Sequence, residues 1–304
     1  MRLTSFAARL AAATPLVGGL AGLAYARWES QAYVLRTFRV PVLPAGQRPL
    51  RLLHLSDLHL TPSQHTKADF IRELADLAPD LVVVTGDFLA HHDAVQPVLD
   101  CLDELLEAPG AFVLGSNDYF APILKNPARY LLPSGQDTHR AGAELPWRDL
   151  VSALTGRGWV DMDNSRAFID VGDRVVEMAG VDDPHLAYDD LDAVGEPQDP
   201  AITIAIAIAH APYMRVLDRF VGSGWPLVLA GHTHGGQLRV PGRGALVTNC
   251  DLDTARCRGL HRHSTDGRTA WMHVSAGLGT SPLAPLRFAC RPEASLLTLE
   301  SPPG

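Results

Sequence analysis

The stretch LVLAGHTHGGQL, Leu227–Leu238, carries two histidines directly after a short apolar run. Four apolar residues followed by a glycine predict a buried strand that ends in a turn. An imidazole at the end of a buried strand loses its hydration, which costs free energy unless a partner uses its ring nitrogens. His232 and His234 therefore indicate a metal ion. Two histidines do not complete such a site, so other segments must supply further ligands.

Four other apolar runs of strand length also end in polar side chains. They begin at Leu50, Leu81, Ala111 and Ile202. The residues that follow them are of the types that bind or surround metal ions: Asp57, His59, Asp87, Ser116, Asn117, Asp118 and His210. In open α/β sheets the loops at the carboxyl ends of the strands converge. The sequence therefore predicts one joint metal site built from five strand ends.

Helical patterns lie between these runs. Lys67–Leu77 and Val95–Leu106 each carry apolar residues at helical spacing, so strands and helices alternate and predict a layered α/β sheet with crossover connections. From Ile202 to Ile208, isoleucines alternate with alanine or threonine, which predicts bulky packing on one face and a close neighbouring layer on the other. The irregular stretch Ala121–Gly158 predicts a surface excursion or lid, with a short helix near Trp147–Leu154.

Composition narrows the class of protein. The 304 residues are 46% hydrophobic and 20% charged, as in an ordinary globular chain with a substantial core. The net charge of -8 and the absence of a basic run argue against a nucleic-acid partner, because phosphate backbones are bound by clustered Lys and Arg. Four irregularly spaced cysteines predict buried or incidental thiols, with a Cys250–Cys257 pair as the alternative in an oxidising compartment.

The amino end predicts membrane targeting. Residues 10–26 carry no charge and are flanked by Arg9 and Arg27. An uncleaved anchor, a removed signal and a buried helix all fit, and arginines on both sides leave the orientation open. A proline-rich linker, Val40–Pro49, follows. We expect a targeting segment with linker over residues 1–39 and a catalytic domain over 40–304, associated with or exported across a bacterial cell membrane.

The ordered motifs resemble a known family. They are Asp57-x-His59, Gly86-Asp87, Gly115-x-x-Asp118, His210 and the run Gly231–His234, and together they are similar to the calcineurin-like metallophosphoesterases. The resemblance covers about Leu50–Leu299, and the tail SAGLGTSPLAPLRFACRPE is similar to a membrane-associated bacterial branch. It implies a four-layer α/β/β/α sandwich, preceded here by the hydrophobic amino-terminal segment, with two divalent metal ions in its groove.

The resemblance also implies roles for individual residues. Asp57, His59 and His234 would hold the first metal, His210 and His232 the second, and Asp87 would bridge both. A hydroxide between the metals would attack phosphorus, with Asp87, Asn117 and His232 as the catalytic set. Independently, imidazole and carboxylate ligands without thiolate suit Mn, Fe or Zn. The glycines of the motifs, among them Gly115 and Gly231, are expected to relax backbone limits at the sharp turns.

One motif departs from the family pattern. The family has Gly-Asn-His followed by Asp or Glu after the third strand, whereas this chain has Gly115-Ser116-Asn117-Asp118. We expect a slight loop shift that lets Asn117, rather than Ser116, supply an oxygen to the second metal. No histidine then occupies the usual general-acid position, which leaves His91, His92 or His185 as a substitute, a substrate with a good leaving group, or a weakened enzyme. Ser116, Asp118, Asp183 and His91 are further candidates for positions behind the ligands or near the substrate.

The sequence thus predicts a dinuclear metal-dependent phosphoesterase. Its expected substrate is a phosphorylated small molecule, a nucleotide-type compound or a lipid headgroup, cleaved at a phosphate ester or pyrophosphate bond. Two alternatives stay open. One is a catalytically weakened metal-binding interaction module, which rests on the Ser116-Asn117 departure, and the other is a nuclease, which the acidic charge balance disfavours.

Overall fold

Two six-stranded sheets form the centre of the protein. The structure, a computed structural model, describes residues 19–123, 142–197 and 204–302. The strands of the first sheet are β1 (Val34–Pro41), β2 (Leu50–Leu55), β3 (Leu81–Thr85), β4 (Gly110–Val113), β5 (Val160–Asp161) and β14 (Glu293–Glu300). Those of the second are β6 (Ser165–Val171), β7 (Arg174–Val181), β8 (Ile204–Ala209), β9 (Leu227–Ala230), β12 (Gly259–Thr265) and β13 (Arg268–Val274). The strand order is β1-β14-β2-β3-β4-β5 in the first sheet and β12-β13-β9-β8-β7-β6 in the second.

The central strands of both sheets run parallel, as the crossover pattern predicts. In the first sheet β2, β3, β4 and β5 are parallel and β14 is antiparallel to β2. In the second sheet β7, β8, β9 and β13 are parallel, and the edge strands β6 and β12 are antiparallel to their neighbours. A short ribbon of β10 (Arg239–Val240) and β11 (Gly244–Ala245) lies outside both sheets. The motif residues follow the parallel strands β2, β3, β4, β8 and β9, so the carboxyl ends of these five strands are available to form a site.

Helices cover the outer face of each sheet. On the first sheet lie α2 (His65–Glu73), α3 (Val95–Leu102) and α5 (Trp147–Gly156). The predicted helices 67–77 and 95–106 are confirmed, but each ends in a tight 3₁₀ turn, Leu74–Leu77 and Leu105–Glu107. A single helix, α6 (Met214–Ser223), packs on the second sheet among the described residues. The short α4 (Ser116–Tyr119) follows β4 directly.

Three separate cores confirm the four-layer α/β/β/α sandwich. The middle core lies between the sheets and contains Ile204, Ile206 and Ile208 of β8. The alternate residues of the same strand, among them Ala205 and Ala207, face α6 in another core. The alternation in the sequence is therefore explained: isoleucines fill the space between sheets, and small side chains let the helix approach closely.

The amino-terminal segment joins the body. A helix, α1, has its described part at residues 19–29, and β1 then pairs in parallel with β14 along its whole length. The predicted boundary between residues 39 and 40 falls inside β1. The predicted linker, Val40–Pro49, overlaps the last two residues of this strand. Pro41 can occupy the strand because β1 is at the edge of the first sheet, where a residue without an N–H is tolerated. Across the described ranges, no helix combines the length and apolar character needed to cross a membrane.

Candidate metal centre

The predicted metal-site residues meet at one edge of the sandwich. The loop after β2 is fixed to the loop after β3, since Asp57 N donates to Gly86 O at 3.0 Å and His59 N donates to Asp87 O at 2.8 Å. Across the two sheets, His232 N donates to the Asp57 carboxylate, 3.0 Å from Oδ2. Residues far apart in sequence are therefore held together by backbone contacts.

Four of these residues form a first group: Asp57, His59, Asp87 and His234. All are buried, and one ligand-type atom from each lies within 4.8 Å of all the others. His59 Nε2 is 3.2 Å from His234 Nε2 and 3.3 Å from Asp87 Oδ2. His234 Nε2 is 3.5 Å from Asp57 Oδ1. Two carboxylates and two imidazoles thus converge on one small volume.

A second group consists of Asp87, Asn117, His210 and His232. His210 Nε2 lies 3.5 Å from Asp87 Oδ2 and 3.3 Å from His232 Nδ1. Asn117 donates to both oxygens of Asp87, from its backbone N and from Nδ2, each at 2.8 Å. The two groups therefore share the carboxylate of Asp87, while His232 and His234 lie in different groups.

The hydrogen bonds behind the rings set where their protons sit. A backbone carbonyl can only accept, so a ring nitrogen next to one carries the proton and leaves the lone pair of the other nitrogen for the site. Three rings have such a carbonyl: His210 Nδ1 is 2.7 Å from Thr85 O, His234 Nδ1 is 3.0 Å from Gly279 O, and His232 Nε2 is 3.2 Å from Asn249 O.

The lone pairs that remain point at one another. His234 Nε2 faces His59 Nε2, His232 Nδ1 faces His210 Nε2, and both pairs adjoin the Asp87 carboxylate. His59 Nδ1 has no hydrogen-bond partner within the described residues. Converging lone pairs and carboxylates repel one another unless a proton or a metal ion lies among them. The donor set therefore fits a divalent metal, and imidazole with carboxylate suits Mn, Fe or Zn.

The candidate ligands themselves adopt the left-handed backbone region. Asp57, His59, Asp87, His232 and His234 have φ of 50°, 41°, 56°, 66° and 48°. A non-glycine residue held in a sparsely populated backbone region of this kind costs on the order of 1–3 kcal/mol and persists only where its surroundings fix it. Five such residues at one edge indicate that the surrounding structure stabilises a strained backbone at this site.

Two motif glycines serve close packing instead of a sharp turn. Gly115 and Gly231 do not have positive φ, contrary to expectation. A Cβ on Gly231 would collide with Ser56 Oγ and would lie 2.7 Å from Asp57 Oδ2. A Cβ on Gly115 would collide with the Asp87 carboxylate. Both positions need glycine because loops of the two sheets touch there.

The buried charges favour a cation. Burial alone would lower the pKa of His210, but the carboxylates of Asp87, Asp183 and Asp57 raise it to about 9. Burial raises the pKa of Asp87, yet His210, His59 and the Asn117 hydrogen bonds outweigh it and hold that pKa below its usual value. Burial raises the pKa of Asp57 to about 6. Positive charge is thus favoured next to Asp87.

The loop after β4 places Asn117, and not Ser116, against the shared carboxylate. The recorded side-chain contact of Ser116 is from its Oγ to Asn117 Nδ2 at 3.4 Å. Asp118 lies behind both residues and is buried. Its carboxylate accepts from the backbone N of Asp87 at 2.8 Å, of Leu89 at 2.9 Å and of Gly115 at 2.9 Å. Asp118 therefore joins the β3 and β4 loops.

The loop after β7 brings His185 to the second group. The His185 and His232 rings are 4.7 Å apart, and His185 Nδ1 is 3.0 Å from the Tyr213 hydroxyl. Asp183 is buried and accepts from the backbone N of His185 at 3.0 Å and of Leu186 at 3.2 Å. Asp183 is thus both a turn former and a support for His185.

His91 takes a different place from the one expected. Its Nδ1 accepts from the backbone N of Asp93 at 3.1 Å, so it caps the short turn His92–Ala94, and its side chain is 51% exposed. None of its recorded contacts reaches either group. A polar side chain at the start of a helical turn can accept a hydrogen bond from one of the turn's free backbone N–H groups. In this protein that local hydrogen bond determines the position of the His91 side chain.

Two supports of the site were missed by sequence reasoning. Ser56 Oγ donates to Asp57 Oδ2 at 2.7 Å and accepts from Thr85 Oγ1 at 2.8 Å, and Thr85 is bonded to the core residue His54 at 2.9 Å. Arg287 is fully buried and donates to the carbonyls of the loop that holds His234, among them Gly279 at 2.6 Å. In the sequence, Arg287 is one of two arginines in an otherwise apolar tail, and nothing local distinguishes it from Arg291.

Comparison with known proteins identifies the family. The sequence model of the calcineurin-like phosphoesterases matches residues 50–236, more than half of the chain. The chain belongs to the calcineurin-like phosphoesterase family. Metallophosphoesterase YkuE of Bacillus subtilis is 27% identical over 96% of this chain and 94% of that protein. Phosphodiesterase YaeI of Escherichia coli is 25% identical over 95% of this chain and 97% of that protein.

A third relative and one solved structure are also similar to this chain. A bovine transmembrane protein with metallophosphoesterase domain is 28% identical over 90% of this chain and 59% of that protein. The solved structure of TT1561 from Thermus thermophilus is 16% identical, covers 76% of this chain and 91% of its own, and has a TM-score of 0.40. Because it belongs to the calcineurin-like phosphoesterase family, the protein is a metallophosphoesterase, a hydrolase with a buried Asp/His group that can hold metal.

Proposed function

We propose that this protein hydrolyses phosphodiester or pyrophosphate-type bonds with two divalent metal ions. The observation that carries the proposal is the sharing of Asp87 by the two groups. Its Oδ2 lies 3.3 Å from His59 Nε2 on one side and 3.5 Å from His210 Nε2 on the other. One carboxylate reaching imidazoles of two separate groups is the arrangement expected of a bridging ligand.

The residues divide between the two ions as follows. Asp57, His59 and His234 would hold one ion, His210, His232 and Asn117 would hold the other, and Asp87 would serve both. When bound, such ions polarise the phosphoryl group and lower the pKa of water. The chain orients its ligands through the carbonyls of Thr85, Gly279 and Asn249 behind the rings. Asn117 also orients Asp87 through two hydrogen bonds.

His185 replaces the general acid that the family pattern would place at position 117. It lies next to His232 and is oriented by the Tyr213 hydroxyl on one side of its ring and by the Asp183 turn in its backbone. Its place beside the second group makes the His185 ring the proton donor to the leaving oxygen in this proposal. A positioned acid of this kind contributes roughly 10²–10⁴-fold when the leaving group needs protonation.

A series of diesters with leaving groups of graded pKa tests this role. For His185→Gln we expect a loss of less than about threefold with a nitrophenyl leaving group and of about 10²-fold with an alkyl leaving group. Metal content should stay unchanged, and His91→Gln is the matched control with no effect on either substrate. Equal losses along the whole series would show that His185 does not act as the acid.

Metal removal tests the dinuclear centre itself. The full chain is freed of metal by chelation, and Mn, Fe or Zn is returned while bis-p-nitrophenyl phosphate hydrolysis is measured. We expect two bound ions per chain at full activity. A single ion at full activity would contradict the bridging role of Asp87. Stoichiometric metal without hydrolysis of any phosphoester would instead favour the interaction module.

We also propose that the substrate is a phosphorylated small molecule or lipid headgroup at a bacterial membrane. The uncharged run from residue 10 to residue 26 supports the location, as does the description of the bovine relative as a transmembrane protein. Cell fractionation of the full chain tests it: recovery in the membrane fraction is expected, and recovery only in the soluble fraction would contradict it.

A further inference from the structure

Exposed apolar side chains are concentrated in three segments of the protein. Twelve large hydrophobic residues are exposed in the described part of the chain, and eight of them lie in α1, in and beside the β10–β11 ribbon, or in the loop before β14. They are Leu20, Leu23, Tyr25, Trp28, Leu238, Val240, Leu246 and Leu283. An exposed apolar surface of this extent indicates a binding site.

The three segments contact one another around Phe288. The Tyr25 ring of α1 lies edge-on to Phe288, with centroids 5.4 Å apart. The ribbon is joined to the same residue, since Arg239 N donates to Phe288 O at 2.9 Å and Phe288 N donates to Gln237 O at 3.0 Å. Arg287 N donates to Ala26 O at 3.0 Å. We call the eight exposed side chains and their segments the docking face.

The charge of the docking face differs from that of the whole protein. The sequence ranges 19–28, 237–247 and 278–292 contain no Asp or Glu, whereas the whole chain has a net charge of -8. The same ranges contain Arg27, Arg239, Arg243 and Arg291, which are exposed or partly exposed, and Arg287, which is buried, as is Glu29 at the end of α1. Arg243 is exposed, so it is available to an anionic partner. The face is apolar and basic, and it carries Tyr25 and Trp28, residue types favoured at membrane interfaces.

We propose that the docking face lies on the surface of an anionic lipid bilayer, so that the ribbon and the loop bind the membrane together with the amino-terminal segment. Apolar and aromatic side chains bury in the interface while nearby arginines contact anionic headgroups. The sequence of residues 10–18 carries no charge, which is a composition suited to lipid. The proposal concerns binding alone and stands apart from the phosphoesterase mechanism.

The face adjoins the metal centre. The loop that carries Leu283 also contains Gly279, whose carbonyl accepts from His234 Nδ1. A cavity of about 380 Å³ lies between α1, α2 and this loop and is lined by Arg27, Lys67 and Pro285. Lys67 Nζ donates to His59 O at 3.3 Å, which places the cavity next to the first group. Arg27 and Pro285 belong both to the cavity lining and to segments of the docking face, so bilayer contact through the face would bring this cavity close to the membrane.

Photo-crosslinking of the full chain tests the proposal. The protein is bound to vesicles of phosphatidylethanolamine and phosphatidylglycerol that contain a photoactivatable phospholipid, and the adducts are mapped by mass spectrometry. We expect adducts in 237–247 and 278–288 as well as in α1. Adducts confined to residues before α1 would overturn the proposal, because the amino-terminal segment would then hold the membrane alone. Crosslinks between two protein chains through the face would assign it to a dimer and would equally overturn it.

Matched variants make the test quantitative. Leu238→Asp with Leu246→Asp should reduce the adduct yield in 278–288 at least about tenfold, because two apolar side chains no longer bury. Phe168→Asp with Val175→Asp, at exposed positions of β6 and β7, is the control and should leave the yield unchanged. Arg243→Ala should reduce the yield about fivefold on these vesicles and not on phosphatidylcholine alone. Equal losses in the control pair would contradict a localised face.

Discussion

The two groups of the candidate metal centre, called its first and second halves below, differ in how completely the protein encloses them. The first group has four buried carboxylate and imidazole side chains, supported from behind by the buried Arg287 and Ser56. The second group has two imidazoles, the shared Asp87 and the amide of Asn117 on a half-buried loop, with His185 next to it. An enclosed, charge-rich group suits firm metal retention, and a more open one suits exchange of substrate and water.

The largest expected effect comes from the residue that both halves share. Asp87→Asn removes the negative charge between the groups and should lower kcat/KM by about 10³-fold or more, since changes behind metal ligands alone cost roughly 10–100-fold. Metal content by mass spectrometry should fall below two ions per chain. Asp93→Asn, an exposed aspartate after the same strand, is the control. Two retained ions with a rate within tenfold of the parent would show that the halves do not depend on Asp87.

Substitutions at the neighbouring positions 116 and 117, in the second half, should change kcat/KM to different extents. Asn117→Ala removes a side chain that contacts Asp87 and should lower kcat/KM by about 10²-fold, in the range seen when a preorganised polar group is lost. Ser116→Ala should change it by less than about twofold, because within the described residues the Ser116 hydroxyl contacts the Asn117 amide at 3.4 Å and does not contact Asp87. Steady-state kinetics on bis-p-nitrophenyl phosphate measure both. A larger loss for Ser116→Ala would reverse the assignment.

The smallest expected effect on rate comes from the support of the first half. Arg287→Met leaves the carbonyls of Ala276, Gly277 and Gly279 without their buried donor and should lower the free energy of unfolding by about 3 kcal/mol. Metal affinity should fall about tenfold, with kcat nearly unchanged at saturating metal. Denaturant melts and metal titrations measure the two effects. Arg291→Met, an exposed arginine that also donates to carbonyls, is the control.

Regular patterns let the sequence predict the alternating strands and helices that carry the site. The runs beginning at Leu50, Leu81 and Leu227 are buried strands, and the motif residues follow them as expected. The sequence pattern did not predict β1, because prolines in and after it are unfavourable in a strand, and it did not predict β14 in the tail. Both pair with each other over long sequence separation, and no local pattern reports such pairing. The helix predicted near Trp147 is confirmed, and residues 124–141 of the predicted lid lie outside the described residues.

The sequence by itself determined which chemical groups stand at the strand ends, because apolar runs followed by His, Asp and Asn are a local property of the chain. Only the tertiary structure decided how they group. In the folded protein His232 faces His210, and His234 faces His59. His91 instead caps its own turn. His185 and Arg287, which come from other loops, lie at the site. Those outcomes depend on contacts between loops of two sheets and on backbone strain at five residues, which the packed protein supports and a short segment cannot.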